Sequence, residues 1–338
     1  MAGSFVVNGS TDSRPIRTIV DKPGTYCIDK NMRIDGQKYS FTIEGPRLFS
    51  DDDQLLIIRS GDVTIDFKGH YASSDAQLDS AFSTPYIRKY VSSFMSPPPP
   101  APNNITLKNG LVEIERTGVG ISFRGLGPEV YANTVDELRR LMGPVSEWDS
   151  FKRDEYMKNT GQRIRILSEM FPAGPSAYPV RNLRLENMKI KTKQDAVVLE
   201  GASSVIRDSV IETNSGTAIW LYGPNAVLEN NTIIVHCLET KLVTEGLATC
   251  REIDAPIRLM HGDGAVIRNN RFILKSKAHQ RVISVFETGA FTFHGNTIVG
   301  LQNFGSVAKA FTGDLQMTGT QNQLDNSPWA IFKSWFGR

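Results

Sequence analysis

One short pattern keeps returning in this chain and limits what the chain can fold into. An apolar residue, a polar one, then usually Asn or Asp, precede an apolar run in LKNGLVEI (107–114), LENMKIKT (185–192) and IRDSVIET (206–213). The same order recurs in LENNTIIV (228–235), IRNNRFIL (267–274) and FHGNTIVG (293–300). The third position reads Asn109, Asn187, Asp208, Asn230, Asn269 and Gly295. Asn187, Asp208 and Asn230 are separated by 21 and 22 residues; the 39-residue step to Asn269 holds one unit plus an insertion of about 17 residues. Each unit also has a second short strand ending in a turn: GISFRG (120–125), AVVLEG (196–201), AIWLYG (218–223), PIRLMHG (256–262) and VISVFETG (282–289). Such strands are β-branched and bounded by Gly, Asn and Asp. One unit cannot bury its inner face alone, whereas stacked units can.

These repeats resemble the right-handed parallel β-helix proteins of the pectin lyase-like superfamily, over roughly residues 40–320. The stacked-Asn corner of that superfamily is matched by Asn109, Asn187, Asn230 and Asn269, with Asp208 and Gly295 as departures. KPGTYCIDKNM and LLIIRSGDVTIDFKGH resemble its first coils. The resemblance implies an all-β solenoid, a single-stranded right-handed parallel β-helix, here with a helical insertion and a C-terminal capping helix. It leaves activity open, because the superfamily spans lyases, glycosidases, epimerases, esterases, spikes and binding proteins. A leucine-rich solenoid would need a Leu-x-x-Leu-x-Leu frame, which is absent.

The resemblance makes the second set of segments the first strand of each coil, whose outer faces form the substrate groove in the superfamily's enzymes. Alternation along a strand gives two outward columns with neighbours about 4.8 Å apart. One is Ser122, Val198, Trp220, Arg258 and Ser284; the other is Arg124, Glu200, Tyr222, Met260 and Phe286. The inward partners, Ile121, Phe123, Val197, Leu199, Ile219, Leu221, Ile257, Leu259, Ile283 and Val285, are all apolar. A one-residue slip would bury the charges instead.

The expected organisation is an N-terminal cap over 1–45, the β-helix over 46–320 with insertions at 71–104, 126–180 and 236–254, and a C-terminal cap over 321–338. Residues 126–180 have a capping-box pair, Thr134 and Glu137, and helical patterning. Residues 236–254 arrive just before a first strand, so these two insertions should flank the groove. In the last segment, Ser327 and Pro328 read as the start of a helix.

Trp220, Tyr222, Arg258 and Glu200 make the best chemical constellation. Arg258 can lie over the Trp220 ring, and a guanidinium grips a carboxylate as a fork. An anionic saccharide suits such a face, with β-elimination or epimerisation as the reaction. Tyr222 or Arg258 would be the base, Glu200 the orienting group and His261, in the turn after a first strand, a further acid or base. Arg124, Met260, Phe286, Asp195 and His236 complete the expected substrate-binding set. The same residues could instead simply seat the 126–180 insertion. No Asp-Asp pair for inverting hydrolysis is evident, and no convergent carboxylates for calcium, so no metal or cofactor is expected. Lys191, Lys193, Lys275, Lys277, His279 and Arg281 form a basic rim near the turns. Two other readings stand beside this one. The chain could be an isomerase, cyclase or dehydratase acting on a smaller, partly apolar molecule, or a non-catalytic binding or spike module.

A net charge of +2 gives no reason to expect nucleic acid. No apolar run reaches membrane-span length, and the start lacks a leader pattern, which reads as cytoplasmic if that start is native. A monomer is expected rather than a trimer. Cys27, Cys237 and Cys250 read as three reduced thiols, although Cys237 and Cys250 could close a short loop.

Overall fold

The computed structural model describes residues 3–5, 18–34, 54–75, 78, 80–84, 102–116, 118–123, 181–214, 216–237, 255–275, 281–301, 307–328 and 330. Short parallel strands wind through it in two sheets of nine and seventeen strands. The nine-stranded sheet takes one strand from each coil: Thr18–Val20, Gln54–Ile58, Ser80–Ser83, Val119–Phe123, Val197–Glu200, Ile219–Tyr222, Ile257–Met260, Ile283–Phe286 and Ala308–Thr312. The rest of each coil lies in the larger sheet, as two strands in most coils and as one long strand at Ile105–Ile114 and Arg184–Thr192.

Both expected columns are present among the described residues, which leave out Arg124 at the head of the second. Ser122 pairs with Val198, Val198 with Trp220, Trp220 with Arg258 and Arg258 with Ser284. Glu200 pairs with Tyr222, Tyr222 with Met260 and Met260 with Phe286. The inward partners are at most 2% exposed and belong to one continuous core. Each such Leu, Ile or Phe contributes roughly 1.5–3 kcal/mol on burial, which fixes the register, since a slip would lose this along the whole stack.

The boundaries differ from expectation. Strands Thr18–Val20, Gly24–Ile28 and Met32–Ile34 pair in parallel with the following coil, so coils begin inside the expected 1–45 cap. Tyr71–Ser74 and Ser80–Ser83 are coil strands, so part of the expected 71–104 insertion belongs to the helix. Their small residues, YASS and SAFS, hide the alternation that marks the other strands. Gln323–Leu324 pairs with the preceding coil, inside the expected 321–338 cap. Ser327 caps a helical turn there, its Oγ accepting a hydrogen bond from the Ala330 N–H at 3.2 Å. The expected helical insertion at 126–180 and the rest of the capping helix lie outside the described residues.

The corner differs in kind. Asn109, Asn187, Asp208, Asn230, Asn269 and Gly295 all have left-handed backbone, with φ between 51° and 63°. Asn tolerates that conformation better than most residues. Asn187, Asp208, Asn230 and Asn269 are exposed there, and amide contacts such as Asn187 Nδ2 to Asn109 Oδ1 (3.0 Å) run along the surface. The buried ladder is the next column, Ser209, Asn231, Asn270 and Asn296, ending at the half-buried Asn322. Asn270 Oδ1 accepts from the N–H and Nδ2 of Asn231, while its own Nδ2 donates to Leu228 O and Asn296 Oδ1. Asn296 repeats this pattern toward Asn322 and Ile267. A second left-handed corner, Asp62, Asn104 and Asn182, is joined by amide bonds of 2.7 and 2.8 Å.

The cysteines also depart from expectation. Cys27 is a free thiol, and Cys237 is disulfide-bonded rather than reduced.

Replacing Asn270 with Ala should cost about 3 kcal/mol in chemical denaturation, because buried donors and acceptors on two neighbouring coils lose partners. Asn269→Gly keeps the left-handed corner and should change stability by less than about 1 kcal/mol. Equal losses from the two would place the ladder in the wrong column. Alkylation of the denatured, unreduced protein should label Cys27 and spare Cys237; labelling at both would contradict the disulfide.

Candidate functional site

Ile219–Tyr222 presents Trp220 and Tyr222 on the outer face because Ile219 and Leu221 occupy the core. Gly223 then turns the chain at φ 111°, with the Gly201 backbone only 3.0 Å from where a Cβ would stand. A side chain at position 223 would push apart the two coils that carry Glu200 and Tyr222.

The Arg258 guanidinium carbon lies 4.2 Å from the Trp220 ring centroid, and Trp220 stacks on Tyr222 at 5.9 Å with 28° between planes. Arg258 is 6% exposed although it faces away from the core. Glu200 and His261 are each 9% exposed and Met260 6%. Burying charge is costly unless contacts compensate. The Trp220 ring supplies one for Arg258 by attracting a cation to its face. The indole N–H of Trp220 is buried and has no hydrogen-bond partner among the described residues. Buried indole N–H groups usually find an acceptor, so this donor marks a place where an incoming oxygen would fit.

His261 occupies the turn after Ile257–Met260, in left-handed conformation at φ 49°, and its N–H donates to Phe286 O at 3.1 Å. Asp195 is half-buried just before Val197–Glu200. Phe286 is half-buried at the end of its column. Arg124 lies outside the described residues.

His236 stands elsewhere. It follows Thr232–Val235 in the larger sheet, where its Nε2 is 2.6 Å from Glu212 Oε1. Lys191 joins the same patch through Glu113 at 2.8 Å. The basic rim therefore divides. Lys191 is paired on the larger sheet, Arg281 is 5% exposed beside an aromatic ring, and Lys277 and His279 fall outside the described residues. The Glu212 carboxyl is held below its ordinary range, first by the His236 hydrogen bond and then by the charges of His236, Lys275 and Lys191, against burial, which pushes it up.

The last coil adds residues that sequence reasoning missed. Val285 pairs with Ala310 but Phe286 pairs with Thr312, so Phe311 is an extra, bulged residue. Phe311 stacks on Phe286 with centroids 5.3 Å apart and planes 15° apart. Lys309 Nζ lies 4.8 Å and the Arg281 guanidinium carbon 5.1 Å from the Phe311 ring centroid. AKAFTG (308–313) matches the first-strand pattern once one residue is allowed to bulge. Among the described residues no cluster of three or more His, Cys, Asp or Glu stands ready to hold a metal ion, and no helix is long and apolar enough to cross a membrane.

The Glu212–His236 pair carries a pH signature. A carboxyl whose folded value lies below its unfolded one stabilises the fold fully above about pH 4.3, the ordinary glutamate value, and loses that contribution as pH falls through the folded value. Wild type should thus lose unfolding temperature on acidification faster than Glu212→Gln between about pH 5 and 3. Parallel curves would contradict the pairing.

Residues 174–332 match the family model described as right handed beta helix region. No curated protein and no solved structure matches the chain. The match over 174–332 and the parallel ladders agree on a right-handed parallel β-helix, which is consistent with the resemblance to pectin lyase-like proteins.

Proposed function

We propose that the outer face of the nine-stranded sheet is the active site of a carbohydrate-active enzyme, working on a carboxylate-bearing saccharide by β-elimination or epimerisation. The observation that carries this reading is Arg258, a buried cation laid over the Trp220 ring beside a buried indole N–H that lacks an acceptor among the described residues. A sugar carboxylate fits the guanidinium edge as a forked ion pair, and a sugar oxygen fits the indole donor. Glu200 and Tyr222, neighbours on adjacent strands, frame the other side.

A guanidinium is a poor proton acceptor but a fitting carboxylate partner, so Arg258 takes the carboxylate and Tyr222 is the base. Charge building on the carboxylate as the α-proton leaves is stabilised by Arg258. In elimination, the tyrosinate takes the C5 proton, the C–H electrons form the C4–C5 double bond, and the C4–O bond breaks. The departing oxygen takes a proton from the phenol, which restores the tyrosinate. In epimerisation, Tyr222 keeps the proton it has taken, a different proton is delivered to the opposite face of C5, with His261 as the group proposed to give it, and exchange with water then returns both groups to their starting states. Glu200 orients the tyrosine, while Met260, Phe286 and Asp195 line the sugar.

The burial of Arg258, Glu200, Met260 and His261 favours an enclosed site over an open cleft. That supports a second reading, an isomerase, cyclase or dehydratase acting on a small, partly apolar acid.

A panel of uronate glycans should yield an ultraviolet-absorbing unsaturated product, or deuterium at C5 in heavy water, from at least one member. Tyr222→Phe should lower kcat about 100- to 10,000-fold, and Arg258→Ala should lower kcat/KM at least 100-fold. Neither product nor exchange from any uronate would remove the saccharide reading and leave the small-acid one.

A further inference from the structure

We infer that Asn104 is an acceptor of N-linked sugar. This site is independent of the catalytic reading and lies at the corner that leads into Ile105–Ile114 of the larger sheet. Asn-x-Ser/Thr, the triplet to which such sugar is transferred, occurs at Asn8, Asn104 and Asn230. A fold that carries the sugar must hold the Asn at its surface with room beyond it. Asn8 lies outside the described residues. Asn104 and Asn230 are both exposed, each on a left-handed corner at φ 56°.

The two differ in how their amides are held. Asn104 Nδ2 donates to Asp62 Oδ1 at 2.7 Å, and its Oδ1 accepts from Asn182 Nδ2 at 2.8 Å. These partners lie in opposite directions along the stack, because Val63 pairs with Ile105 from one side and Arg184 pairs with Thr106 from the other. The N–H in use is therefore the one opposite the carbonyl. The second N–H points on past the nitrogen, away from Cβ and from the corner. A sugar on Nδ2 makes a secondary amide, whose trans form is strongly favoured. In that form the sugar replaces this second hydrogen, and the N–H to Asp62 survives. Sugar and corner ladder thus coexist, with the sugar directed into solvent. Asn230 Nδ2 donates to Asp208 Oδ1 at 3.2 Å, but among the described residues nothing donates to its Oδ1, so that amide is held from one side only.

The disulfide at Cys237 is a second, separate observation. Disulfides persist in oxidising compartments such as the secretory route, and the Asn-x-Ser/Thr acceptor belongs to secreted proteins. In the transfer, Asn104 Nδ2 bonds to the anomeric carbon of a sugar carried on a lipid diphosphate. The carbon–oxygen bond to the diphosphate breaks and its electron pair leaves on the diphosphate. The nitrogen gives up one proton to a base of the transferase.

The test uses the full chain isolated from the cells that make it. Its intact mass should exceed the 37.5 kDa of the polypeptide by the mass of a glycan. Peptide-N-glycosidase in heavy-oxygen water should release that glycan and leave a labelled aspartate at position 104. Thr106→Val, made in the same cells, keeps a β-branched side chain in the strand but lacks the hydroxyl that the triplet requires, and should lose the label at 104. Thr106→Ser should retain it. An unmodified Asn104 in the wild-type chain, sugar at Asn230 alone, or label at 104 in Thr106→Val would each overturn the assignment.

Discussion

Every residue in a described coil stands about one strand spacing, roughly 4.8 Å, from its counterpart in the next. That stacking is the constraint on which the rest depends. It makes each position a column, and a column must suit its own neighbours as well as its place in the coil. Apolar columns close into a core. Amide columns satisfy backbone groups where the chain turns a corner, as Asn231, Asn270 and Asn296 do through bonds of 2.8 to 3.1 Å. A column on the outer face can hold functional groups because the inner ones hold the register for it.

The site shows how this is used. Arg258, Trp220 and Ser284 are far apart in the chain and adjacent in space because three coils repeat one strand at one height. The cation needs no flexible loop to reach the ring; the ladder delivers it. What varies between coils is the content of the outer positions, from valine at 198 to tryptophan, arginine and serine. The scaffold can therefore change its chemistry position by position at little cost to its core.

The register was legible because inward positions alternate strictly with outward ones, as in Ile219 and Leu221 against Trp220 and Tyr222. The corner was read one residue early. The doublets Asn230-Asn231 and Asn269-Asn270 carry two amides with different duties, and only packing separates the exposed left-handed one from the buried bonding one. Ser80–Ser83 escaped notice because serines in a fully buried strand leave no apolar alternation. Phe311 escaped because a bulge breaks the spacing on which repeat reading relies. His236, placed at the groove by its position in the sequence, belongs with Glu212 because its strand lies in the other sheet. Charge pairs of that sort depend on which strands become neighbours, and no local pattern encodes them.

The stacked register also governs how such a surface can change in length. A loop between strands can gain or lose single residues, since nothing else need move. The face itself cannot. One extra residue inside a coil either shifts every later column or is set aside as a bulge, as at Phe311. The outer sheet can therefore be lengthened only by whole turns, each adding one strand and one place in every column, and the reach of any ligand laid along it is counted in integers.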